Sequence, residues 1–273
     1  MDDHAIVVAV ANPDTVSRLM YTASIVARQS EGRIVVTNVV PLAAGAASDR
    51  QRAERMTRAY ELVEHAEDCA RNWGLPCESV VSLGEQIHEV IVDVAVAQQA
   101  ELIVAGFSER DEPSLQQDEE FDRIIDALAA HASCDLLVAR FRNGERFERA
   151  LVALGSERNL GLTKSIVASL HHRAGAAIDF LKFVPDAGGV EGSRQEVAGW
   201  LEAAGLGGCG TIRVEISDNP DAAIVEASRE YDVVIVGTPP LHSLRRRLFG
   251  SAAEYVADNA LCTTFLVRRH ERP

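Results

Sequence analysis

The residues of this chain best suited to chemistry gather in one stretch, Tyr231 to Asn259, which reads YDVVIVGTPPLHSLRRRLFGSAAEYVADN. Asp232 to Val236 is a short apolar, β-branched run of the kind that forms a strand buried on both faces, and Gly237 ends it. Thr238, Pro239 and Pro240 then exclude a helix, Arg245, Arg246 and Arg247 make the next segment basic, and Gly250-Ser251 opens a second periodic run. Ser251 with Glu254 spells a capping box, the signature of a helix start. Strand, glycine, basic loop, glycine-serine, helix is an order that holds anions. The first N–H groups of a helix have no partner inside it, and glycine lets a ligand approach them closely. Arginine adds a fork of donors that suits phosphate oxygens. A plainer reading stands beside this one, in which Gly250-Ser251 is a good helix cap and the three arginines form a solvated loop of an acidic protein.

Other chemistries find few residues to use. There is no G-x-S-x-G elbow around Ser156, no P-loop lysine and no H-E-x-x-H, and the adjacent His171-His172 sit near a helix end, where they complement the helix dipole. No catalytic residue and no metal site is expected, and any hydrolytic activity would be slow and incidental. Gly205-Leu-Gly207-Gly208-Cys-Gly210 matches G-x-G-x-x-G but follows a helix and precedes a strand, the reverse of a dinucleotide fingerprint, and reads as a helix-ending loop. Cys69, Cys77, Cys134, Cys209 and Cys262 are widely spaced and contain no C-x-x-C pair, so neither a disulfide framework nor a zinc site is indicated. A formal charge of −14 argues against general nucleic-acid binding. No apolar run approaches the roughly 18 to 20 residues of a membrane span, and Met1-Asp2-Asp3-His4 lacks the basic start of a secretory signal, which points to the cytoplasm.

The elements that position the stretch follow from periodicity. Strands are expected at His4–Val10, Arg33–Val40, Glu78–Leu83, Leu102–Ala105 and Asp135–Arg140. Between them lie helices at Thr15–Gln29, closed by Gly32, a long one with Met56, Tyr60, Val63, Ala66, Ala70 and Trp73 at helical spacing, Gln86–Gln99, and Asp122–His131. The order then recurs: strands at Arg149–Leu154, Ala176–Val184, Thr211–Ile216, Asp232–Val236 and Thr264–Arg268 alternate with helices at Leu160–Arg173, Val197–Ala204, Ala222–Arg229 and from Ser251. Alternating strands and helices demand parallel sheets covered on both sides. Val8-Ala9-Val10 matches Val152-Ala153-Leu154, ELIVAG ending at Gly106 matches DVVIVG ending at Gly237, and Cys134-Asp-Leu-Leu-Val138 matches Cys262-Thr-Thr-Phe-Leu266, so a tandem duplication is the simplest account.

Each half resembles a universal stress protein domain, whose signature after its fourth strand is glycine, two residues, glycine, nine residues, then glycine with serine or threonine. Here it falls on Gly237, on Pro240 in place of the second glycine, on the nine residues from Leu241 to Phe249, and on Gly250-Ser251. The resemblance spans essentially the whole chain. It implies an α/β fold of two tandem flavodoxin-like domains of the adenine nucleotide alpha hydrolase-like type, over residues 1–143 and 147–273, each a five-stranded parallel sheet with helices on both faces. It further implies ATP or another adenine nucleotide as ligand of the second domain, held by Gly237, Thr238, Gly250, Ser251 and Ala252, with Arg247 toward the phosphates and Gly155 and Ser156 flanking from the first loop. Leu154 stands where such domains usually carry an aspartate that contacts adenine, and Pro240 removes one N–H from the signature.

The first half carries Glu109, Asp111, Glu112, Asp118, Glu119, Glu120 and Asp122 between Gly106 and Ile124, with no Gly-Ser or Gly-Thr turn, so it is expected to bind no nucleotide. Pairing of the halves through Leu136–Arg140 and Thr264–Arg268, an internal pseudo-dimer, is expected in place of a homodimer. Val10-Ala-Asn-Pro13 and Leu248-Phe-Gly-Ser251 add a narrower likeness to stress-protein domains associated with membrane transporters. Two functions follow: a cytoplasmic stress or metabolic regulator that senses an adenine nucleotide, or a nucleotide-free regulatory module for a transporter or another protein.

Overall fold

A computed structural model describes residues 4–42, 49–108, 115–142, 147–157, 160–237 and 251–270. The chain divides into two compact units, Met1–Val138 and Ala139–Pro273.

In the first unit, β1 (Ala5–Ala9), β2 (Arg33–Pro41), β3 (Cys77–Gly84), β4 (Ala100–Ser108) and the start of β5 (Asp135–Phe141, which runs three residues past the boundary) alternate with α1 (Pro13–Ser30), α2 (Asp49–Asn72), α3 (Ile87–Ala97) and α4 (Leu115–His131). The strand order is β3-β2-β1-β4-β5, and β1 is parallel to both β2 and β4. The apolar strands sit in the core: Ile6, Val7, Val8, Ile34, Val35, Val36, Ile103 and Val104 are all buried. Helices cover both faces, α1 packing on α2 and α3 on α4.

In the second unit, β6 (Arg149–Ala153), β7 (Ala177–Val184), β8 (Thr211–Ile216), β9 (Val233–Gly237) and β10 (Thr263–Arg268) alternate with α5 (Leu160–Ala174), α6 (Val190–Ala204), α7 (Pro220–Ala227) and α8 (Ser251–Asn259). Its order, β8-β7-β6-β9-β10, is that of the first unit, and every neighbouring pair is parallel. The two units therefore carry the same fold, as the repeated sequence predicts.

Several elements differ from their sequence expectation for local reasons. α4 begins at Leu115, seven residues before the predicted Asp122. Leu115 to Glu120 are good helix formers, and acid in a first turn suits the positive end of the helix, so the acidic stretch continues as helix. Glu31, not Gly32, adopts the left-handed conformation that closes α1, with φ 54°. Gly32 is needed for closeness instead, since a Cβ there would lie 2.4 Å from the His4 carbonyl oxygen. On α2 the buried stripe is Ala59, Leu62, Val63, Ala66 and Ala70, while Tyr60 is 57 % exposed. Tyr60 sits beside the stripe at i+1 from Ala59, too far around the helix to reach the sheet. β9 begins at Val233, one residue after the predicted Asp232, whose carboxylate accepts the N–H groups of Glu148 and Arg149, each at 2.8 Å, and so fixes the entry to β6.

Candidate nucleotide site

The order β8-β7-β6-β9-β10 places a topological switch between β6 and β9: the chain leaves β6 toward β7 on one side and reaches β9 on the other. In open parallel sheets the crevice at the carboxyl ends of such a strand pair is where ligands bind. β6 and β9 are in register from Ala150↔Val233 to Ala153↔Val236, so the next residues, Leu154 just past β6 and Gly237 at the end of β9, stand side by side. Gly155 and Ser156 follow Leu154 and are exposed. The exit of β6 is pinned by the Leu154 N–H, which donates to the Leu181 carbonyl of β7 at 2.9 Å, while the Leu154 side chain is buried. Gly237 is half-buried and pairs with Val267 of β10.

α8 supplies the third component. It starts at Ser251 and returns to β10, with Ala253, Val256 and Ala257 buried beneath it. Its far end is fixed by the fully buried Ser228, whose hydroxyl accepts the Leu261 N–H at 2.9 Å and donates to the Val225 carbonyl at 2.6 Å. Ala252 is exposed in the first turn, and Glu254 is the acid of that turn. Of the residues named from sequence, the structure brings Gly155, Ser156 and Gly237 to one edge of one sheet and puts Ser251 and Ala252 in the opening turn of the helix that follows β9. Thr238, Pro240, Arg245, Arg246, Arg247 and Gly250 lie outside the described residues.

The first unit uses the same edge differently. The Val10 N–H donates to Thr37 O at 2.9 Å, the counterpart of the Leu154 bond. No glycine-serine turn follows, because Asn12 caps α1 directly: its side chain accepts the Asp14 N–H at 3.0 Å, and Pro13 fills the first helical position. The buried amide of Asn38 donates to Val10 O at 2.7 Å and closes the exit of β1. Sequence reading passed over Asn38, although a polar residue inside the apolar run of β2 was a usable signal. It also passed over Tyr231, whose hydroxyl donates to Asp179 at 2.5 Å and accepts from Arg213 at 2.6 Å. Burial, with the Asp179 carboxylate next, pushes this phenol up to about 12. The cluster joins the start of β9 to β7 and β8, away from the switch edge.

The His171 and His172 rings meet edge-on at the end of α5, and among the described residues no group of three or more His, Cys, Asp or Glu side chains could hold a metal ion. Gly205 closes α6 at φ 72° and the Leu206 N–H returns to Leu201 O, so the glycine run is a helix-ending loop. Cys134 and Cys262 are buried thiols, pushed up to about 12 chiefly by burial.

Charge separates the units as sharply as geometry does. Residues 1–138 hold 24 acidic and 10 basic side chains, net −14, whereas residues 139–273 hold 17 of each, net zero. A polyphosphate is repelled by the first unit and not by the second.

The sequence model of the universal stress protein family matches residues 4–140 and again residues 146–268. The chain belongs to the universal stress protein family. Its fold is similar to that of a universal stress protein from Archaeoglobus fulgidus, with TM-score 0.68 and 16 % identity over 98 % of this chain and 97 % of that one. It is similar also to the cytoplasmic domain of a prokaryotic cation chloride cotransporter, with TM-score 0.61 and 13 % identity over 97 % and 95 %. In sequence it is 24 % identical to the Na(+)/H(+) antiporter NhaS5 of Synechocystis over 91 % of its own length. The chain spans only 35 % of that curated relative. Among the described residues no helix is long and apolar enough to cross a membrane.

Proposed function

We propose that this universal stress protein is a cytoplasmic stress or metabolic regulator whose second unit binds an adenine nucleotide, ATP foremost, at the edge where β6 and β9 diverge. One observation carries the reading: two copies of one fold differ at the same edge. In the second copy a glycine ends β9 beside the exposed Gly155-Ser156 turn, and α8 opens with the signature serine. In the first copy the Asn12 cap and the Asn38 amide close the matching exit. Phosphates would meet the opening turn of α8 and, in the second unit, a net charge of zero in place of −14. The role we assign is binding rather than catalysis, in line with a sequence that carries no G-x-S-x-G elbow, P-loop lysine or H-E-x-x-H.

A second reading, a nucleotide-free regulatory module for a membrane transporter, is favoured by the match of 91 % of this chain to part of an antiporter. Mass spectrometry of the small molecules released from gently purified protein separates the two. An adenine nucleotide near one equivalent supports the first, and a chain that carries none and gains none on incubation with ATP supports the second. In either reading the duplication replaces a homodimer of single-domain chains, so sedimentation equilibrium is expected to give a monomer of 29.5 kDa.

A further inference from the structure

β3 is the end strand of the first sheet, and among the described residues no strand lies on its outer side. It runs parallel to β2 over eight register pairs, from Ile34↔Cys77 to Pro41↔Gly84, which leaves alternate outer N–H and C=O groups along its length without a strand partner. Proteins usually blunt such an edge with proline, lysine, a bulge or a covering side chain. β3 reads CESVVSLG, with no proline or lysine, an unbroken register and a single charge, Glu78. The end strand of the second unit is guarded. β8 carries Arg213 and Glu215 in an ion pair at 2.5 Å, and Arg194 of α6 donates to its Ile212 carbonyl at 2.9 Å.

The surroundings of β3 show what it would accept. At its carboxyl end Leu83 is 46 % exposed and Leu42 40 % exposed, and the Leu42 N–H donates to Gly84 O at 2.8 Å, which holds the two leucines at one corner. Glu78 is exposed near the other end, 3.6 Å from the Arg33 guanidinium, and Glu85 is exposed just past the corner. The unit around them is net −14.

We propose that β3 is a docking edge for an extended, basic segment of a partner polypeptide, which joins the sheet as an added strand. Backbone hydrogen bonds to the outer groups of β3 supply affinity, and alternate side chains supply selectivity. An apolar side chain of the segment rests on Leu42 and Leu83, and basic ones face Glu85 and the side of Glu78 not taken by Arg33. A second copy of this chain is the poorer occupant, because edge-to-edge pairing would bring two units of net charge −14 to strand spacing, about 4.8 Å. The proposal does not depend on the nucleotide site and survives its failure.

The test uses the full chain at 150 mM salt, roughly the physiological ionic strength, and three fluorescent probes: a peptide alternating lysine and valine, the same peptide N-methylated at every second amide, and its glutamate-valine counterpart. The lysine-valine peptide is expected to bind and to slow hydrogen exchange at residues 78–83, the methylated peptide to bind at least tenfold more weakly, and the glutamate peptide not to bind. Leu83→Asp is expected to weaken binding about tenfold with an unchanged melting temperature, since that side chain already reaches water. Equal binding of the methylated peptide, exchange unchanged at β3, or no binding of the lysine-valine peptide each overturns the proposal. So does a concentration-dependent dimer abolished by Leu83→Asp, which would make a second copy the occupant.

Discussion

Replacing Leu154 by aspartate restores the residue type that related domains usually carry after their first strand, and the structure sets what that change costs. Leu154 is 4 % exposed, and its own N–H bond to Leu181 is a backbone contact that any residue keeps. Losing the buried isobutyl group costs about 2 kcal/mol from transfer alone. A carboxyl group left there without a partner adds about 1 to 3 kcal/mol, so Leu154→Asp should destabilise the chain by about 3 to 5 kcal/mol. Burial raises the folded carboxyl above its unfolded value of about 3.9. A raised group keeps its contribution at low pH and loses it as pH climbs through the folded value, so the deficit should be larger at pH 8 than at pH 5. Urea unfolding of wild type, Leu154→Asp and the uncharged Leu154→Asn at both pH values measures this. Only the aspartate variant should show the pH-dependent part. A loss below about 1 kcal/mol that is equal at pH 5 and pH 8 would put the side chain in water and refute the burial of Leu154 at the exit of β6.

Buried thiols make a second prediction. Cys134 and Cys262 rise from 9.0 to about 12 on folding, so each favours the folded state below pH 9 and loses that contribution as pH rises toward 12. Stability should fall by about 3 kcal/mol between pH 8 and pH 10 through these two groups, and Cys134→Ala with Cys262→Ala should flatten the urea-midpoint profile over that interval. An unchanged slope would contradict the burial of both thiols. Tyr231→Phe removes one bond to Asp179 and one from Arg213. Because Asp179 and Arg213 are 3.8 Å apart and partly exposed, they recover some of the loss by pairing directly. Chemical denaturation should show about 1 to 2 kcal/mol of destabilisation with nucleotide binding untouched.

Most of the fold was legible because both units are built from short apolar strands alternating with amphipathic helices, and because the sequence repeats its own anchors. The errors are local and physical. Tyr60 looked like core because it lies at helical spacing from Met56 and Val63, but periodicity alone does not say which flank meets the sheet. Acid between Asp118 and Asp122 looked like loop, yet acid is what a helix start favours. At the site, β6 and β9 could be named from sequence, while the side-by-side exits of Leu154 and Gly237 needed the strand order. Asn38 stands out as a polar residue in an apolar run, but its partner Val10, like the Asp179–Arg213 pair of Tyr231, is distant in sequence and meets it only through the sheet.

The most direct measurement is calorimetric titration of the full chain with ATP, run beside Gly250→Asp, which puts a negative charge in the signature turn, and Asn12→Ala, which alters the matching edge of the first unit. One site per chain is expected, lost in Gly250→Asp and kept in Asn12→Ala. Two sites per chain, one site indifferent to Gly250→Asp, or no binding at all would contradict a nucleotide site built on the exits of β6 and β9.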